Sequence, residues 1–487
     1  MLSAIVLLPL LALIPVLLLP ERYSRSVVWS ASFAALLLVL YGARDVWEGN
    51  GKAWLVDWTW MDALGVRLLL NCDGLTYILL LLTALLYPLL LLAEPAGRPV
   101  SRPRSYYALL LLMQAALFGV FLARDALLFY VFYELALIPI FFLTAFWGGE
   151  GSRRITLKFF VYTLAGSLFL LVAILYLYWR TPEPHSFSFE AFYGLDLTLQ
   201  EQIWLFAALF FAFAVKIPVF PFHTWQPDTY TVAPLAGSML LAGIMLKMGI
   251  YGLMRLVLPV VPDAVASWGW VAISLCVAGM LYGSFIALRQ QDLKRLVAYS
   301  SLAHVGLIAA GVLSASSSGM QGAAFQMFSH GIIVYALFLA VDILERRYGT
   351  RRMDELGGVA GQMRRFGWLF AVVLLGSVGL PLTNGFIGEF LLLNGLFLFR
   401  AGLAALAGMT IVLSVAYMLR WYRLVFFGDV RQEGRGDLSA AEGLALLVCA
   451  AVIVGTGIYP MPLLQLTEPV AERLLSFVSE STAALLP

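Results

Sequence analysis

Residues 203–221 read IWLFAALFFAFAVKIPVFP, a membrane-like apolar run that closes on a charge and a pair of prolines. Thirteen apolar residues run unbroken from Ile203 to Val215, Lys216 follows, and Pro218 and Pro221 come next. A lysine at bilayer depth costs roughly 3 kcal/mol even on lenient insertion scales, so a chain that keeps one there uses it. Pro218 offers no N–H to the carbonyl of Ala214, and Pro221 repeats the disruption, so the helix is read as broken. Backbone freed at that depth is tolerated only inside protein or beside water.

The same apolar pattern fills the chain on either side. With 487 residues, 62% of them hydrophobic and 12% charged, the chain is read as an all-α polytopic membrane protein. Spans are expected near 2–20, 27–47, 68–93, 105–123, 125–146, 154–179, 203–225, 232–258, 265–288, 293–313, 320–346, 366–399, 403–427 and 440–462, fourteen in all. The N-terminus has no positive leading region and reads as a first span, not a cleaved signal. The segment 463–487 mixes Glu468, Glu472 and Arg473 with leucines and is expected along the surface. The longest polar stretch, Thr181 to Gln202, reads as a loop, which leaves no room for a soluble domain. A net charge of +2 gives no reason to expect nucleic acid. Cys72, Cys276 and Cys449 have no paired spacing, against disulfides, zinc and iron–sulfur clusters in this chain.

Basic residues occupy alternate loops. With the N-terminus outside, 21 of the 31 lysines and arginines (Arg25, Arg98, Arg153, Arg346 and Arg435 among them) fall on the cytoplasmic side and 8 outside. Lys216 and Lys247 are the two within the membrane. An even number of spans then puts both termini outside. A second break is expected at Pro381, within GLPLTNGFIGEF (379–390). Broken helices at corresponding places in two halves suggest an inverted repeat. The organisation expected is three N-terminal spans over 1–104, repeats over 105–258 and 265–427, and a last span with a surface segment over 428–487.

Six ionisable residues lie deep, each on a different helix: Glu134, Lys216, Lys247, His304, His330 and Glu389. A proton crossing hydrocarbon needs such stepping stones. Only five of the 31 basic residues are lysines, Lys52, Lys158, Lys216, Lys247 and Lys294, and two of those are deep. Arginine keeps its proton inside a protein, whereas a buried lysine can release it. Glu134 beside Lys216 would relieve two desolvation costs and could switch; the alternative is a static ion pair locking two helices. For Lys247 the alternative is a lysine satisfied by backbone carbonyls. His304 and His330 titrate nearest neutrality, which suits relay duty. Their alternatives are packing histidines or ligands to a haem. Glu389 beside a Pro/Gly break suits an exit gate, or is a hydrogen-bonded structural glutamate.

His223 and Lys158 join the candidate set. His223 and Asp228 could instead cap the broken helix, and Lys158, close to Arg153 and Arg154, could be a positive-inside residue. Asp342 reads as an intrahelical partner of Arg346 or Arg347, and Asp73, Arg124 and Asp125 as interfacial loop charges.

These residues stand in blocks that resemble the antiporter-like subunits of respiratory complex I, NADH–quinone oxidoreductase. The blocks are FYELALIPIFFLTAFWGG (132–149), VKIPVFPFHTWQPDTYTVAPLAGSMLLAGIMLKMGIYGLMR (215–255), DLKRLVAYSSLAHVGLIAAG (292–311), QMFSHGIIVYALFLAVDIL (326–344) and NGFIGEFLLLNG (384–395). The branch that includes mitochondrial ND subunit 4 is the most similar, and the resemblance covers essentially the whole chain. It implies fourteen transmembrane helices in two inverted five-helix repeats with broken seventh and twelfth helices. It also implies that Glu134, Lys216, Lys247 and Glu389 match the family's proton-translocation residues, and His304 and His330 the histidines of its central hydrophilic axis.

Such subunits hold no redox centre; NADH, FMN, iron–sulfur clusters and quinone belong to partner subunits. The partners implied are the other membrane-arm subunits in a bacterial inner membrane, above all the neighbouring antiporter-like ones. Two departures stand out: Leu382 where a small residue is expected, and QPDTYT (226–231) in place of LPDAHT. Nothing after Pro462 is expected to form the long lateral helix of the larger distal subunit. Multi-subunit cation/proton antiporters and membrane-bound hydrogenases share these motifs, and a haem-binding electron carrier or a single-chain transporter are the rival classes.

Overall fold

The computed structural model describes residues 2–48, 54–94, 100–434 and 436–484. Lys52, Arg98 and Arg435 lie outside the described residues. Twelve described helices are long and apolar enough to cross a membrane, and two shorter apolar ones, Leu2–Leu18 and Asn384–Phe399, stand with them. The one sheet among the described residues is an antiparallel hairpin of β1 (Leu55–Met61) and β2 (Val66–Asn71).

That hairpin corrects the expected third span. The helix begins at Gly74, not near 68, because residues 66–71 pair with 55–61, Trp58 opposite Leu68 and Leu55 opposite Asn71. A short apolar run fits strand or helix by periodicity alone. What fixes the boundary is Asp73, whose carboxylate accepts the Thr76 N–H at 3.0 Å and caps the helix.

Both expected breaks are present. One helix ends at Lys216, turns occupy 217–225, and a short helix, Gln226–Val232, follows. The Val219 N–H donates to the Ala214 carbonyl at 2.8 Å, satisfying the group Pro218 left free, and the Trp225 Nε1–H donates to the Val215 carbonyl at 2.9 Å. The expected span 366–399 is two helices, Arg364–Ser377 and Asn384–Phe399. Leu382, in that break, has φ 76°, a conformation that costs a residue with a Cβ about 1–2 kcal/mol. Its departure from the family pattern therefore falls where a small residue fits best. A third interruption went unread: helix Ala126–Leu135 stops just after Glu134, and Leu137–Trp147 continues past it, with Pro139 in its first turn.

Burial sorts the helices. The window of Leu235–Val260 is 100% buried, that of Ser317–Tyr348 94% and that of Leu293–Leu313 89%, against 33% for Ala401–Phe426. The helices carrying Lys247, His330 and His304 therefore form the centre of the bundle. Leu235–Val260 carries two π-helical turns, Leu241–Met245 and Leu253–Val257, flanking Lys247. Such turns are frequent at functional sites because they misalign carbonyls from the helical ladder.

The chain after Pro460 forms a helix, Met461–Ala484, of 24 residues, about 36 Å long. It packs against Gly74–Ala93, Leu258–Val260, Pro262–Arg289 and Ser317–Tyr348, and so crosses the end of the bundle that bears the hairpin.

Candidate functional site

Lys216 is the last residue of its helix, 3% exposed, with Nζ 4.7 Å from the centroid of the Tyr133 ring. Cation–π contact of this kind is worth up to about 2 kcal/mol when desolvated. No Glu134–Lys216 ion pair at contact distance is present among the described residues. Glu134 is hydrogen-bonded to Ser167 and lies within electrostatic reach of Lys216. The locked-pair alternative therefore fails in this conformation. A tyrosine face holds the ammonium while the carboxylate stands off.

The second lysine is engaged differently. Lys247 Nζ donates to the Ala242 carbonyl at 2.7 Å and lies 2.8 Å from His330 Nδ1. Ala242 belongs to the first π-helical turn, so backbone irregularity supplies the carbonyl that holds the lysine. The Lys247–His330 contact can exist as ammonium donating to imidazole or as imidazole N–H donating to amine, so one proton can rest on either side. The rings of His330 and His304 follow, centroids 6.0 Å apart, and His304 Nδ1 is 3.1 Å from Glu389 Oε1. Four of the six residues singled out in the sequence thus form one row: Lys247, His330, His304, Glu389.

Between the two histidines lies a cavity of about 10 Å³, room for about one water, bordered by Ser301, Gln326, Gly376 and Ser377. His330 Nε2, Gln326 Oε1 and Ser301 Oγ are buried with no hydrogen-bond partner among the described groups. Three such polar atoms suit a relaying water. A gap of this size cannot hold a macrocycle.

The second helix break shapes the Glu389 end. Gly379 has φ 65°, and a Cβ there would fall 2.4 Å from Glu389 Oε2. The carboxylate therefore occupies the space that a glycine in the broken segment leaves open. Gly388 plays a similar part: its Cβ would meet Gln326 Oε1 at 2.1 Å.

His223 and Asp228 do not cap the Gln226–Val232 helix, which has no side-chain cap. The His223 ring packs on Phe220 and Tyr282, with centroids at 5.5 and 4.9 Å. Asp228 instead receives Lys158 and Arg295, each at 3.3 Å, and Lys158 also donates to the Thr224 carbonyl at 2.8 Å. Lys158 is thus a pinned residue of the basic end.

Asp73, Arg124 and Asp125 prove to be more than loop charges. Arg124 and Arg255 both reach Asp73 at 2.6 Å, their side chains only 7% and 5% exposed. Burial opposes ionisation of Asp73, but the two guanidiniums and the Arg255 and Thr76 hydrogen bonds outweigh it and hold the carboxyl well below the usual range. Asp125 caps the Ala126–Leu135 helix through the Leu127 and Leu128 N–H groups. Asp342 pairs with Arg346 at 2.6 Å as expected, and Glu442 adds contacts of 2.7 Å to both Arg346 and Arg347. The sequence reading missed Tyr133, Ser301 and Gln326. Ser301 stands three residues before His304, and Gln326 four before His330, spacings that place each on its histidine's face.

Comparison with known proteins supplies the remaining facts. Residues 123–414 match the family model described as NADH:quinone oxidoreductase/Mrp antiporter, transmembrane. The chain is 36% identical over 463 residues to NADH-quinone oxidoreductase subunit M of Rickettsia typhi, covering 93% of this chain and 92% of that one. It is 38% identical to NAD(P)H-quinone oxidoreductase chain 4 1 of a Synechococcus species, over 94% and 90% of the two chains. A chain of respiratory complex I from Thermus thermophilus superposes with a TM-score of 0.91 at 31% identity, covering 98% and 100%. A chain of the Mrp complex from a Dietzia species does so with a TM-score of 0.87 at 22% identity, over 97% of each, a likeness of fold alone.

Proposed function

We propose how the row works from one premise: the chain belongs to the NADH:quinone oxidoreductase/Mrp antiporter family, as an antiporter-like membrane subunit of complex I. Its role in that assembly is proton translocation coupled to electron transfer elsewhere. The observation that carries the reading is the row from Lys247 through His330 and His304 to Glu389, held on four helix segments with contacts of 2.8 and 3.1 Å at its ends. Each member can hold or yield a proton, and the cavity between the histidines suits the one water the middle step requires. Lys216 and Glu134 form the loading pair beside this row. Motion of the helix end at Lys216 would exchange the Tyr133 face for the Glu134 carboxylate, changing which state of the lysine is favoured.

Finer features join this reading. Leu2–Leu18 and the interrupted 364–399 segment, taken as crossings, bring the spans to fourteen. Segments 105–258 and 265–427 form two inverted repeats, with the break at Pro218 in the first and the break at Pro381 in the second. The basic helix ends face the cytoplasm and both termini face outward, in a bacterial inner membrane. NADH, flavin, iron–sulfur clusters and quinone are handled by partner subunits, and the neighbouring antiporter-like subunits dock on the flanks. A decisive test is Lys247→Ala in the assembled complex, reconstituted in vesicles. NADH-driven proton pumping should fall severalfold while NADH oxidation by an artificial acceptor is unchanged; pumping at the normal rate would overturn the relay.

A further inference from the structure

The relay leaves a second feature unused. A cavity of about 540 Å³ opens among the basic helix ends, and its wall includes Glu94, Asp342, Arg25 and Arg346. Glu94 has no ion pair at contact distance among the described residues. Tyr106 and Tyr107 donate to its carboxylate at 2.8 and 2.9 Å, while Arg25 donates to the Leu91 and Glu94 carbonyl oxygens. Burial raises the Glu94 carboxyl above its ordinary range, with the tyrosine bonds and Arg25 opposing and Asp342 adding to the rise. Glu21 and Arg22 complete the charged wall.

The inner side of this cavity leads toward the row. Pro234 lines the wall, and the adjacent Ala233 carbonyl accepts Lys294 Nζ at 2.6 Å. Lys294 lies within electrostatic reach of Asp342, as Asp342 does of Glu94. From Lys294, one face of the Leu293–Leu313 helix runs through Val297 and Ser301 to His304 at steps of three and four residues. On the Ser317–Tyr348 helix, Leu337 and Ile333 lead from Asp342 to His330. Val297, Ser301, Ile333 and Leu337 all border the small void between the histidines. Three residues separate Lys294 from Val297, and five separate Leu337 from Asp342, about 4.5 and 7.5 Å along the helices. Roughly one helical turn thus divides Lys294 and Asp342 from the void, where Val297 (0% exposed) and Leu337 (2%) stand.

We propose that this cavity is the proton-uptake chamber of the relay, with Glu94 as collector, Asp342 and Lys294 as the inner pair, and Val297 with Leu337 as an apolar gate. The proposal rests on the relay reading. In the uptake step a hydronium in the chamber gives its proton to the Glu94 carboxylate and becomes water. The carboxylate is restored when that proton passes to the inner pair, and brief wetting of the gate carries it to His304 and His330. An apolar constriction controls such transfer by excluding water.

The test uses the assembled complex in vesicles with three variants. Glu94→Gln should slow NADH-driven pumping about tenfold, the scale of a positioned acid–base group. The loss should be larger at alkaline than at acid pH, because abundant protons bypass a missing collector. Glu94→Asp should restore most of the rate, and NADH oxidation by an artificial acceptor reports intact assembly. Where Glu94→Gln fails to assemble, Asp342→Asn carries the same comparison of pH profiles. Normal pumping in Glu94→Gln, or a loss equal at all pH values without rescue by aspartate, overturns the chamber. If Lys247→Ala abolishes pumping while Glu94→Gln does not, the relay stands and the chamber falls; if both pump normally, both fall.

Discussion

Gly379→Ala is a single-methyl perturbation aimed at the far end of the row. It acts in two ways. Holding φ near the observed 65° costs alanine about 1–2 kcal/mol. The new Cβ also lies 2.4 Å from Glu389 Oε2, so the carboxylate must withdraw by roughly 1 Å to reach ordinary van der Waals contact. The His304–Glu389 contact begins at 3.1 Å, and a displacement of that size takes it out of hydrogen-bond range. A hydrogen bond to a charged group contributes about 1.5–3 kcal/mol. Its loss makes transfer between these residues roughly 10- to 150-fold less favourable, at about 1.4 kcal/mol per factor of ten. The assay is the initial rate of NADH-driven acidification in vesicles holding the complex. Gly402→Ala is the control, since nothing lies within 4 Å of that Cβ. A Gly379→Ala complex that assembles and pumps at the control rate would refute the placement of Glu389 in the relay.

Two other expectations follow from the geometry. Lys216→Arg keeps the charge over the Tyr133 ring but forbids its release, so pumping should drop severalfold with assembly intact; a variant pumping normally would make Lys216 a fixed charge. Asp73→Asn leaves Arg124 and Arg255 buried without their counter-ion and should destabilise the purified protein by about 3–5 kcal/mol, read as a lowered thermal midpoint. The sign with pH is fixed: the Asp73 carboxyl is held below its unfolded value, so its contribution is full above about pH 4 and fades as pH falls further. The gap between wild type and Asp73→Asn should therefore narrow on acidification, and a gap that widens would contradict the pairing.

Much of the site was legible because charge in lipid is rare. Lys247, His304, His330 and Glu389 stand out in apolar runs, and each is buried in the bundle or nearly so. The breaks at Pro218 and Pro381 were equally plain, since proline removes a donor that lipid cannot replace. Residues 66–71 were not, because a short, mostly apolar run such as VRLLLN satisfies a strand as well as the start of a helix until Asp73 caps the helix after it. The neighbour of Lys216 was misjudged for a related reason. Adjacent residues on a helix point in different directions, and which of Tyr133 and Glu134 faces the lysine depends on how two helices are rotated against each other.

That the chain crosses the membrane many times, where two helices break and which groups could carry a proton can all be read from the amino acids alone. Those follow from hydropathy, backbone donors and ionisation chemistry, all properties of single residues and their near neighbours. The order of the row, with His330 against Lys247, His304 against Glu389 and Lys216 on a tyrosine face, emerges once the helices are packed together. Contacts between helices distant in sequence depend on rotation and crossing, which close packing sets and local pattern does not encode.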